Sequence, residues 1–85
     1  MITIWKFALA VTNRQSFSLP ADAKVLCVQT QQGQGVMWVL LNISQAMITR
    51  TFRTVGTGNV YEGNVDNYIG TYQLGSFVWH VFEEK

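Results

Sequence analysis

Arg50 and Arg53 stand three residues apart and run into Gly56-Thr57-Gly58-Asn59, with Tyr61 just beyond. Guanidinium groups beside glycine-exposed N–H groups make the concave nest that holds an anion, and an aromatic ring alongside adds a stacking surface. A nucleotide fingerprint asks for more than this. Tyr61 occupies the place of the third glycine in G-x-G-x-x-G, no helical pattern follows, and no Lys-Ser/Thr pair completes a P-loop. Residues three apart on a strand also face opposite sides, so the two arginines cannot enter one pocket of a monomer without a bulge. One is assigned to a ligand or interface and the other to a carboxylate such as Asp66 or Glu62. The binding surface read from this stretch is Arg50, Arg53, Gly56, Thr57, Gly58, Asn59 and Tyr61, with Trp38 or Trp79 as anchor. Trp, Tyr and Arg are the residues that dominate recognition hot spots.

Catalytic chemistry finds less support. His80 is the only histidine and lies between Val78 and Phe82 on an alternating run, the setting of a hydrogen-bonded core or edge residue. Serines 16, 18, 44 and 76 have no nucleophile-elbow context. The single cysteine, Cys27 in VLCVQ, excludes an internal disulfide and reads as a small buried core residue. Glu62, Asp66, Glu83 and Glu84 show no metal-ligand spacing, and Glu83-Glu84-Lys85 reads as a solvated tail. The expectation is a non-enzyme without cofactor or metal.

The elements that must carry these residues are short and alternate with period two. Strands are expected over Thr3–Val11 (Trp5, Phe7, Leu9 and Val11 on one side), Gln15–Leu19, Ala23–Gln31, Val36–Asn42, Thr49–Val55, Tyr68–Leu74 and Phe77–Glu83. Pro20 ends the second. Gln32-Gly33-Gln34-Gly35 connects the clearest hairpin, its two glycines supplying positive φ. The segment 43–47 reads as a short connection with one helical turn, and 56–67 is long for a hairpin loop. Both strands of the clearest hairpin are apolar on both faces, as in strands covered on both sides. The expected fold is all-β, six or seven mostly antiparallel strands in meander order, as a roll, barrel or small sandwich.

Eighty-five residues make one domain, 1–85, and one too small to bury more than about two thirds of its extended-chain surface. Charged residues are 13% of the chain against a usual share of about 25%, which fits equally an apolar surface covered by a partner, another copy included, or a compact core under a surface of Gln, Thr, Ser and Asn. A net charge of +1 without a basic stripe disfavours nucleic-acid binding. No apolar segment reaches the ~20 residues of a membrane helix and no basic region precedes the N-terminal apolar stretch, so a cytoplasmic protein is expected.

The segments IWKF, LPADAK, RTFRTVGTGN, YIGT and HVFE together resemble a family of short uncharacterised proteins common in bacteriophage and prophage genomes. The resemblance covers nearly the whole chain. It implies a small phage-type accessory protein whose business is binding a host factor or a small molecule, and the expectation taken from the whole reading is non-enzymatic binding to, and inhibition of, a host protein in the host cytoplasm. Two alternatives come with it: an oligomeric sponge for a small anionic or nucleotide-derived ligand, and a virion or assembly component.

Overall fold

Ile2–Leu9 forms β1 in the computed structural model, which describes residues 1–84. Its alternation sets Trp5, Phe7 and Leu9 opposite Val39, Met37 and Gly35 of β4 (Gln34–Asn42) on the core side. Ile2, Ile4 and Lys6 lie opposite Asn42, Leu40 and Trp38 on the outer side. The strand stops at Leu9, so Val11 stands half exposed in the connection that follows rather than ending the inward row. β2 (Arg14–Pro20), β3 (Lys24–Gln31), β5 (Met47–Gly56), β6 (Tyr68–Leu74) and β7 (Phe77–Glu84) complete the set.

The seven strands form two antiparallel sheets, β1-β4-β3 and β2-β5-β7-β6, with no closed barrel and no helix among the described residues. Of the expected architectures it is the sandwich. The meander order is corrected: β1 and β2, though consecutive, belong to different sheets, and β4 lies between β1 and β3. The central place of β4 agrees with its burial: Met37, Val39 and Leu41 face the other sheet, and Val36 on the outer face is flanked by β1 and β3.

Phe52, Leu9, Leu19, Met37, Val39 and Val81 are fully buried between the sheets, each contributing about 1.5–3 kcal/mol. The rings of Phe7 and Phe17 meet edge to face at 5.2 Å and join the two sheets. On one flank β3 and β6 close together. A Cβ on Gly70 would lie 3.1 Å from that of Val28, and Thr30 Oγ1 donates to the Gln73 carbonyl across the gap. On the other flank no Cα of β2 comes within 8 Å of β1.

Three local expectations change. The β3–β4 turn has two residues, Gln32 at φ 52° and Gly33 at φ 73°, the type I′ geometry that matches strand twist. Gly35 belongs to β4 and serves packing, since a Cβ there would lie 2.5 Å from Cε2 of Tyr72. The connection 43–46 makes no helical turn: Gln45 N–H donates to the Asn42 carbonyl at 3.1 Å and Ser44 N–H to Asn42 Oδ1 at 3.0 Å. Cys27, in register with Trp38, is half-buried and outside the core.

Candidate functional site

Alternation along β5 sends its two arginines to opposite faces. Arg50 turns inward, and its Nε and Nη2 each donate to the Glu83 carboxylate at 2.7 Å. Its Nη1 donates to the carbonyls of Pro20 at 3.1 Å and Ala23 at 2.7 Å, tying the β2–β3 turn to β7. The two side chains are only 10% and 5% exposed. Hydrogen bonds to Glu83 hold the Arg50 guanidinium above its ordinary pKa although burial works against the charge.

Arg53 turns outward. It donates to the carbonyl and side-chain oxygen of Asn13 at 3.3 and 3.2 Å and lies 3.6 Å from Glu84. Arg14 grips the same Glu84 with Nε and Nη2. The carboxylate partners are therefore Glu83 and Glu84, not Asp66 or Glu62. The expected solvated tail is corrected with them: Glu83 is buried, and Lys85 lies outside the described residues. Each of the three arginines is committed to a glutamate.

The loop 57–67 folds onto the outer face of the four-stranded sheet. Tyr61 stacks on Phe82 with ring centroids 4.5 Å apart, and the Arg53 guanidinium carbon sits 5.8 Å from the Tyr61 ring. Thr57 N–H donates to the Val78 carbonyl at 3.2 Å, and Asn59 N–H to that of Gly56 at 3.0 Å. Gly58, at φ 88°, takes the left-handed position in this turn.

At the same end of the sandwich, Trp79 pairs in register with Gly56 and separates two clefts. One, of about 340 Å³, runs between the 11–13 connection and Val60. The other, of about 440 Å³, is walled by Thr57 and Phe77. Gly56, Asn59 and Trp79 border both. Gly56 is needed here because a Cβ would fall 2.9 Å from Asn59 Nδ2 and 3.0 Å from the Trp79 ring. Around the clefts Val11 is 50%, Phe77 65% and Val60 85% exposed, and Phe77 stacks on Trp79 at 6.1 Å. The chemistry presented is mixed: Val11, Val60, Phe77 and Trp79 are apolar, and Thr12, Asn13, Asn59 and Ser76 supply hydroxyl and amide groups.

Gly56, Thr57, Asn59 and Trp79 thus meet at one place, and Arg53 adjoins it through Asn13. Arg50 lies six residues back along β5, about 20 Å at the usual rise of a strand. Trp38 is on the outer face of the other sheet, its Nε1 donating to Gln29 at 3.2 Å. Sequence reasoning missed Val11, Asn13, Val60 and Phe77. Only Phe77, beside a Gly-Ser turn and two residues before Trp79, carried a readable signal.

His80 bridges two threonines, with Nε2 2.7 Å from Thr57 Oγ1 and Nδ1 3.0 Å from Thr71 Oγ1. The contact pins the loop to the sheet. Both ring nitrogens are thereby engaged by threonine hydroxyls. No group of three His, Cys, Asp or Glu stands together to hold a metal among the described residues. No helix among them is long and apolar enough to cross a membrane.

A family model described as a domain of unknown function (DUF7352) matches residues 1–85. No curated protein and no solved structure matches the chain.

Proposed function

The chain belongs to the DUF7352 family, and for it we propose a non-enzymatic role: binding another protein at the sandwich end around Trp79. In the phage setting that the sequence resemblance implies, the partner is a host protein and occupying it is the inhibitory act. One observation carries the proposal. Val11, Val60 and Phe77 are half or more exposed around two clefts that share Trp79, while every arginine is engaged by a glutamate. An aromatic anchor in a partly desolvated cleft, rimmed by apolar and amide groups, is the make-up of a protein hot spot. An anionic ligand would find no guanidinium group free of a carboxylate, so the nucleotide-sponge reading has less geometry behind it.

The experiment is a comparative capture from host lysate with the wild type, Phe77→Ser and Val60→Asp, both changes being at exposed positions. A specific partner retained by wild type and lost from both variants supports the assignment. Retention of every partner by both variants would remove this surface from consideration. A parallel thermal-shift panel tests the alternative, because a nucleotide at about a hundred times its Kd would add about 2.7 kcal/mol of stability.

A further inference from the structure

The free flank of the three-stranded sheet is its β1 edge, and its chemistry is unusual for an exposed edge. Sheet edges are normally guarded by charge, proline or a covering segment. β2, the edge strand of the other sheet on this flank, has such guards: Pro20 at one end and Arg14 with its glutamate at the other. β1 has one charged side chain, Lys6, so its edge is guarded at a single position. The Lys6 Nζ reaches across Trp38 of β4, 5.8 Å from the ring centroid, to Gln31 Oε1 on β3 at 2.8 Å. The N-terminal ammonium is held by Asn42 Oδ1 at 3.0 Å. Trp5, although on the core side of the strand, is 41% exposed.

We propose that β1 pairs with β1 of a second copy of this chain, antiparallel and about a two-fold axis, to join two three-stranded sheets into one of six. The register follows from the residues. Opposed residues in an antiparallel pair share a face, so outward Ile2, Ile4, Lys6 and Ala8 must meet outward residues. Every register that sets an outward residue against an inward one is thereby excluded. Setting Lys6 opposite its own copy places like charges face to face, which is destabilising. The register that keeps a long overlap and avoids this puts Trp5 opposite Trp5, Ile4 opposite Lys6 and Ile2 opposite Ala8. It covers the exposed flank of Trp5 with its own symmetry mate, and it fits a chain with so few charges.

Ile4 tests the register without touching the core, since it is 54% exposed and points outward. Sizing with light scattering should find the wild type at twice its 9.6 kDa chain mass. Ile4→Lys, which sets a second ammonium group against Lys6 at two places in the dimer, should run at 9.6 kDa with an unchanged circular dichroism spectrum. Ile4→Glu, which sets a carboxylate against Lys6 at the same two places, should remain a dimer. A monomeric wild type at high concentration overturns the proposal. So does dissociation of the glutamate variant along with the lysine one, which would mark packing of apolar faces rather than paired edges. Phe77→Ser should leave the dimer intact, so failure here and failure of the Trp79 surface are separable results.

Discussion

Tyr61 lies on Phe82 with the two rings 4.5 Å apart and inclined by only 18°. The contact fastens the middle of the loop 57–67 to β7, while Thr57 and His80 fasten its start. Offset-stacked pairs contribute about 0.5–1.5 kcal/mol beyond the area they bury. Tyr61→Ala is therefore expected to lower unfolding free energy by about 1–2 kcal/mol. Amide exchange should accelerate across 57–67 and stay slow in β5 and β7. Equal acceleration in loop and strands would show that the stack supports the sheet rather than the loop.

The Arg50–Glu83 pair should behave differently in single and double variants. Removing one member leaves a buried charge without its partner and costs about 3–5 kcal/mol. For Arg50→Ala the Pro20 and Ala23 carbonyls also lose their donor. Arg50→Met with Glu83→Leu exchanges the pair for apolar volume and should recover part of the stability lost by Arg50→Met or Glu83→Leu alone, the Pro20 and Ala23 carbonyls staying without their donor. Urea unfolding of the three variants measures this, and additive losses in the double variant would refute the coupling.

Much of the sandwich was legible because period-two alternation is strong in several strands, and the inward rows of β1 and β2 follow it. What alternation could not supply was pairing order. The pattern of β4 asks for cover on both faces but does not name its neighbours, and here those are β1 and β3. Gly56, Thr57 and Asn59 were legible as one loop stretch, but that Trp79 rather than Trp38 stands beside it follows only from the β5–β7 register. The partners of Arg50 and Arg53 were not legible, because Glu83 and Glu84 lie about thirty residues away in the chain and are brought beside them only by β5–β7 pairing. For the same reason Val11 and Asn13, from the β1–β2 connection, were invisible as walls of the cleft.

Glu84 ties stability to acid. Its hydrogen bonds from Arg14 come first in holding its carboxyl below the usual carboxylate range, with the charges of Arg14 and Arg53 adding to the effect. A folded-state pKa below the unfolded one contributes stability at neutral pH that is lost as pH falls through the folded value. Glu84→Gln should therefore flatten the acid limb of the stability curve below about pH 4. Raised salt should reproduce part of the change, since the pair is exposed. Tm measured against pH at two salt concentrations checks both.

The turn at Gln32-Gly33 offers a stabilising change. Gln32 holds φ 52°, a conformation that asparagine tolerates better than glutamine, and its side chain is exposed. Gln32→Asn should raise stability by a few tenths to about 1 kcal/mol. Gly33→Ala, at φ 73°, should lower it by about 1 kcal/mol. Chemical denaturation of both variants tests the I′ assignment, and a neutral Gly33→Ala would contradict it.

Tyr72 presents the opposite problem, a polar group with no partner. Its ring is buried against Gly35, and its hydroxyl is inaccessible and makes no hydrogen bond to the protein. Burial accordingly pushes the phenol pKa up. A raised folded-state pKa means that the unfolded chain ionises first, so stability should begin to fall above the ordinary tyrosine value of about 10 and continue until the buried phenol itself ionises. Tyr72→Phe keeps the ring on Gly35 and deletes the unpaired hydroxyl. Since leaving a buried donor unsatisfied costs about 1–3 kcal/mol, the variant should be at least as stable as wild type at neutral pH. It should also lose the Tyr72 share of the alkaline decline. Gly35→Ala should be destabilising, because its Cβ would lie 2.5 Å from Cε2 of the buried Tyr72 ring. Urea unfolding at neutral and alkaline pH separates these effects, and a marked loss in Tyr72→Phe at neutral pH would show that the hydroxyl is satisfied after all.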